Sequence, residues 1–262
     1  MRNSTFSALC FFAFSAITQG CFFAPPDRDE PKESNTTEGV ATQDLLGYFS
    51  AQSGGQTLRV YARIGRAGEA SDFLRTGAGD QMVAEIDGVR VPLTLQASGI
   101  EQRYVASVAA PASQANVKIM LERSTGTSAL GSTAIVPAPF QLEGPAELPV
   151  GGFELSTDLK DLGTTTSAFG VSVTSKGSLP VEVEGACVAN GRETLYAKLQ
   201  DGKLKVPGVT LAAGTSSCDA LVRLKLTTKG SLDPAFARSS SFLDEAEFVA
   251  EQTRIVRGTL RK

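Results

Sequence analysis

The chain has 262 residues, 42% of them hydrophobic, with 25 Lys and Arg against 28 Asp and Glu and no histidine or tryptophan. Without imidazole there is no Ser-His-Asp or Cys-His nucleophilic arrangement, nor a zinc site of the common histidine-bearing kind. The formal charge of −3 comes with no basic stripe, so nucleic acid is not an expected partner.

The first 20 residues carry one cation, Arg2, and then a short run of apolar and weakly polar residues from Phe6 to Ile17. That is the form of a signal peptide, and the run is too short for a helix to span a bilayer, which takes roughly 20 residues. The next stretch, Ile17-Thr18-Gln19-Gly20-Cys21, resembles a bacterial lipobox, in which the small Gly20 precedes a cysteine that is lipidated and becomes the new N-terminus. Thr18 stands where lipoboxes usually carry Leu, Val or Ile, so ordinary cleavage that leaves Cys21 a free thiol stays open. Removing residues 1–20 takes away Arg2 and no acid, which brings the formal charge to −4. Phe22 follows the cysteine where an inner-membrane retention signal resembling that of enteric lipoproteins would place Asp, which points to the outer membrane.

Residues 21–43 are rich in Pro and acids and nearly empty of apolar residues after Phe23. Such a stretch buries too little surface to offset the entropy of ordering and reads as a disordered tether. As a coil from Pro25 to Gln43 it would span roughly 25 Å.

Beyond the tether, short alternating runs punctuated by Gly, Ser, Pro and Asp predict an all-β protein. In the first half the expected strands are Thr57 to Ile64, Gln81 to Asp87, Val89 to Gln96, Gln102 to Ala109, Asn116 to Glu122 and Ser132 to Val136. Asp87-Gly88 supplies the positive φ angles of a tight hairpin. The Pro-rich stretch from Pro137 to Pro149 marks a boundary, giving one domain over 44–137 and a second over 138–262. In the second, strands are expected at Val171 to Thr174, Val181 to Glu184, Thr194 to Leu199, Lys203 to Val206, Ala220 to Thr227 and Phe248 to Leu260, with a hairpin at Asp201-Gly202. This strand density is that of two immunoglobulin-like β-sandwich domains.

The four cysteines divide into Cys10 in the signal, Cys21 at the lipobox, and Cys187 with Cys218. In an oxidising envelope the last two are expected to pair as a disulfide, the alternative being two buried thiols.

Gly185-Ala-Cys187, Ser217-Cys218-Asp-Ala-Leu-Val-Arg-Leu, Gly230-Ser-Leu-Asp-Pro-Ala-Phe236 and Glu251-Gln-Thr-Arg-Ile-Val resemble uncharacterised exported or lipid-anchored β-sandwich proteins of Gram-negative bacteria. The resemblance covers about half the chain and implies fold and location but no activity. The family's closing segment is Gly-rich, whereas this chain has Arg238-Ser-Ser-Ser-Phe-Leu.

Candidate chemistry is sparse. Gly77-Ala-Gly79 lacks the third glycine and the helix of a phosphate-cradling loop. Glu182 and Glu184 project from one face of a strand about 7 Å apart, a separation glycosidic hydrolysis can use, but Val-Glu-Val-Glu is also plain inside-outside alternation. Asp158 and Asp161 do not match a calcium loop. Asp233-Pro-Ala-Phe236 reads as a loop anchor. Stacking on carbohydrate would need Tyr48, Tyr61, Tyr104 or Tyr196 exposed together. No cofactor, metal or catalytic residue is expected. The leading expectation is a non-enzymatic envelope lipoprotein, held to the membrane through lipid on Cys21, that displays its β-sandwich domains to an envelope protein. The alternative is a module binding envelope glycan, and a remoter one is a carboxylate hydrolase.

Overall fold

Apolar and polar residues alternate along Thr57–Arg66, so Leu58, Val60, Ala62 and Ile64 fall on one side of an extended chain and are buried, while Thr57, Arg59, Tyr61 and Arg63 face outward. The computed structural model has 17 strands and describes residues 35–98, 101–160, 178–237 and 246–262. The expected signal peptide, Cys21, and the strand expected at Val171 to Thr174 lie outside the described residues. The protein is all-β.

In chain order the strands are β1 (Leu45–Gly54), β2 (Thr57–Arg66), β3 (Glu69–Leu74), β4 (Gln81–Ile86), β5 (Val89–Pro92), β6 (Thr94–Ser98), β7 (Glu101–Ala109), β8 (Ala115–Glu122) and β9 (Ala129–Val136). There follow β10 (Leu142–Glu143), β11 (Glu147–Pro149), β12 (Gly152–Thr157), β13 (Ser178–Gly185), β14 (Arg192–Gln200), β15 (Lys203–Pro207), β16 (Ser217–Lys229) and β17 (Glu247–Arg261). One long sheet runs β10-β12-β15-β14-β13-β16-β17-β1-β2-β7-β6, with β11 on β17 and β3 on β2. A second sheet runs β5-β4-β8-β9.

Two hydrophobic cores result. The first lies between the two sheets and joins Phe49, Val60 and Ile64 to Met82, Val117 and Ile119. The second is enclosed by inner faces of the long sheet alone, with Phe153, Leu155, Val181, Val183, Leu204, Val222 and Leu224 among its members. The sheet curls far enough that Arg254 of β17 donates from Nε to the Phe140 carbonyl, 2.7 Å away, just ahead of β10.

Both expected hairpins are present. Asp87 and Gly88 take φ of 48° and 85°, Asp201 and Gly202 take 49° and 72°, the left-handed pair that a two-residue loop between right-twisted strands demands. The strand expected from Val89 to Gln96 is instead two, because Leu93 donates its N–H to Met82 and the chain then leaves the small sheet to join β7.

The boundary placed at residue 137 does not separate the cores, and Asn35–Lys262 forms one compact unit. β17 is the reason. Its first half pairs parallel with β1 and sends Phe248 and Ala250 into the first core, and its second half pairs with β11 and sends Val256 and Leu260 into the second. Phe236, from the Asp-Pro-Ala-Phe segment, likewise closes the first core, packed edge-on against Phe49. Residues 35–43, which composition assigns to the tether, are also part of the fold. Thr37 and Thr42 are buried, and the Thr37 N–H donates to the Arg75 carbonyl.

Candidate functional site

Inward-facing residues of β17 keep one orientation along the strand, so the outer side of the long sheet is continuous across both cores. β1 ends at Gly54, opposite Thr253, and β11 begins only opposite Thr259. Among the described residues no strand pairs with that flank of β17 from Arg254 to Gly258, and a groove of about 510 Å³ opens on the outer face where β2, β1, β17 and β16 meet. Arg59, Tyr61, Lys225, Glu251, Thr253 and Ile255 are among the residues that line it.

The chemistry of this groove follows from register. Arg59 lies across from Gln52, and Gln52 from Glu251, so a guanidinium, an amide and a carboxylate form one row. Lys225 reaches Glu251 at 3.3 Å. Arg223 is tied to Glu182, and lies 3.6 Å from Glu184. Arg59 is exposed and has no ion-pair or hydrogen-bond partner among the described residues. Tyr61 is half-buried beneath Arg103, whose guanidinium carbon stands 4.8 Å from the ring centroid. An open groove with a free guanidinium, an aromatic face and several neutral hydrogen-bonding groups can hold an extended ligand. It is too open to enclose a small one, whose surface is normally mostly buried.

Two larger hollows are poorer candidates. One of about 540 Å³ has Arg123 as its charged side chain, and that guanidinium is fully engaged in the protein. The other, of about 630 Å³, balances Glu85 and Asp87 against Lys118 and Lys229.

Arg123 and Asp80 form a buried polar knot against residues 37–42. Their side chains are 4% and 3% exposed, values that in the absence of partners would be prohibitive for charged groups. Arg123 donates to the Thr37 and Val40 carbonyls, each at 2.7 Å, to Thr42 Oγ1 at 3.0 Å and to Asp80 Oδ2 at 3.3 Å. Asp80 also accepts from the Ser124 N–H and the Thr37 hydroxyl, both at 2.8 Å, and from the Ser124 hydroxyl at 3.1 Å. Burial pushes the Asp80 carboxyl up, but these hydrogen bonds and the Arg123 charge outweigh it and hold the group below its ordinary value.

The residues singled out in the sequence are dispersed. Cys187 and Cys218 form a disulfide with Cα atoms 5.5 Å apart, at the rim of the second core. Cys21 lies outside the described residues. Glu182 and Glu184 do share a face, as alternation requires, but Arg223 lies between them and Arg192 stands 3.6 Å from Glu182. They line no cleft. Asp158 accepts from the Gln141 N–H, and Asp161 lies outside the described residues. Among the described residues no group of three or more His, Cys, Asp or Glu is placed to hold a metal ion, and no helix is long and apolar enough to cross a membrane. Asp233 accepts from the Gly131 and Ala235 N–H groups and so anchors its loop.

The four tyrosines are not gathered. Tyr104 is buried with its hydroxyl accepting from the Thr76 N–H, Tyr48 packs edge-on against Phe73, and Tyr61 and Tyr196 remain on the outer face of the long sheet. Sequence reasoning missed the Arg59–Gln52–Glu251 row, because it joins strands about 200 residues apart. The one available signal was the outward phase of Arg59 and Tyr61 in the alternation of β2.

No family model matches the chain, and no curated protein matches it. Among solved structures, a chimeric titin Z1Z2 functionalized with a KLER exogenous peptide from decorin aligns at 12% identity over 85% of this chain and 100% of the other, with a TM-score of 0.23. The adhesin InvE of Yersinia pseudotuberculosis aligns at 14% identity over 84% of this chain, with a TM-score of 0.22. The chain spans 59% of that adhesin structure's length.

Proposed function

We propose that this chain is a non-enzymatic lipoprotein of a bacterial cell envelope, held by lipid on Cys21 at the outer membrane, whose β-body is displayed for interaction with another envelope component. The observation that carries this reading is the Arg123–Asp80 knot. It holds Thr37, Val40 and Thr42, near the start of the described residues, to the body. A body displayed on a tether needs such an attachment.

The non-enzymatic reading is supported by the residue inventory. The chain has no histidine, the Cys187–Cys218 disulfide removes both described thiols, and Glu182 and Glu184 are held by arginines. The outer face, continuous through β17, offers a surface for contact.

The test is mass spectrometry of the mature N-terminus together with fractionation of the parent and Cys21→Ala. Acyl chains on Cys21, and release of the variant from the membrane fraction, are expected. An unmodified, soluble parent protein would refute the anchor.

A further inference from the structure

We infer that the outer groove at β17 binds a segment of anionic polysaccharide, with Arg59 taking a carboxylate of the glycan and Tyr61 supporting a sugar ring. This rests on the reading of the body as a displayed binding module and gives the displayed face a partner class.

Charge complementarity comes first. The chain as a whole is acidic, yet the groove is lined by Arg59, Arg223 and Lys225 against the single carboxylate of Glu251. Glu182, beside the groove, holds Arg223, and Glu251 holds Lys225, so those two cations are fixed in place. Arg59 is the cation left without a partner among the described residues. Its planar fork of N–H donors suits a carboxylate, which it can take in two parallel hydrogen bonds.

The neutral groups narrow the class further. Gln52, Thr57 and Thr253 add amide and hydroxyl groups, which can both donate to and accept from sugar hydroxyls. Tyr61 gives a partly exposed ring already braced by Arg103, so little side-chain freedom is lost when a sugar settles on it. Tyr196, 57% exposed, lies on the same outer face. From Tyr61 on β2 to Tyr196 on β14 the sheet crosses β1, β17, β16 and β13. Separated by five strand positions on the outer side of a curling sheet, the two rings cannot both meet one monosaccharide. The groove is open to solvent along its length, so a chain can pass across it without threading.

The test uses the full chain purified in detergent and measures retardation in native gels cast with polygalacturonate, with dextran as the neutral glycan and poly-glutamate as the acidic peptide. Expected are retardation by polygalacturonate that weakens as salt is raised, and none by dextran. Arg59→Ala is expected to weaken binding roughly tenfold and Tyr61→Ala to weaken it as well, with unchanged melting temperatures certifying the fold. Equal retardation by poly-glutamate would overturn the glycan assignment in favour of an acidic protein. No retardation by any polymer would overturn the site, and so would an Arg59→Ala variant that binds like the parent. None of these results depends on whether Cys21 carries lipid, so failure of the groove and failure of the anchor are read separately.

Discussion

Arg123 and Asp80 come from the ends of different β-hairpins, 43 positions apart, and meet as an ion pair with both side chains almost entirely removed from water. The pair is satisfied because residues 37–42 supply carbonyl and hydroxyl partners to the guanidinium, while Ser124 and Thr37 supply donors to the carboxylate. Its role is to fasten one segment of chain to the first core.

Removing one partner leaves the other charge buried. Arg123→Ala is therefore expected to cost about 3–5 kcal/mol in urea denaturation. It should also speed hydrogen exchange at the Thr37 amide, which bonds to Arg75 next to the knot. A loss below about 1 kcal/mol would mean that water replaces the guanidinium without penalty.

The same carboxylate makes stability depend on pH. The Asp80 pKa is held lower in the folded state than its unfolded value of about 3.9, so its contribution is complete above that value and is lost as pH falls through the folded value. Asp80→Asn should be less stable than the parent at pH 7, and the difference should shrink below about pH 4. Denaturation at pH 7 and pH 3 checks this, and an undiminished gap at pH 3 would remove Asp80 from the account.

The disulfide joins residues 31 positions apart. In the chain-entropy relation a closed loop of that length corresponds to about 3.7 kcal/mol of stability. Replacing Cys187 and Cys218 together by Ser should lower stability by that order, and a reductant should destabilise the parent while leaving the double variant unchanged. A reductant-insensitive parent would show that the bridge contributes nothing.

β17 contributes side chains to both cores, which should therefore unfold as one cooperative system. β16 and β17 pair in register from Ser217–Arg261 to Lys229–Val249, a span that borders both cores. Phe248→Ala, at a site 1% exposed, should cost about 3–5 kcal/mol. Amide exchange should then rise in the second core, at Val181 and Val222, as well as at Val60 in the first. Faster exchange confined to the first core would mean the cores unfold independently.

Features governed by neighbouring residues were legible from the chain alone. Asp87-Gly88 and Asp201-Gly202 announced hairpins because the positive φ angles they tolerate are a local requirement. The alternations of β2, β8, β13 and β17 announced strands, because burial of one side follows from a period of two. The cysteine count announced the Cys187–Cys218 bridge.

β1 was not legible. Leu45, Leu46 and Gly47 are buried in succession, and small or polar Ala51 and Ser53 take inward places farther along, so hydropathy does not alternate. Nor could a strand more than 190 residues later, β17, be foreseen as its parallel partner. Asp-Pro-Ala-Phe was legible as a loop anchor, but the core it anchors was not, since Phe236 reaches back to Phe49.

What the sequence by itself determined was the all-β class, its two tight hairpins and the pairing of its cysteines, all fixed by backbone geometry, residue period or oxidation chemistry. Only the tertiary structure decided that one strand serves both cores, that Arg123 is buried while Arg59 is free, and that a groove opens where β1 stops. The physical reason is that the burial of a charged side chain, like the shape of a surface, is set by partners brought together from distant parts of the chain, and local pattern carries no record of them.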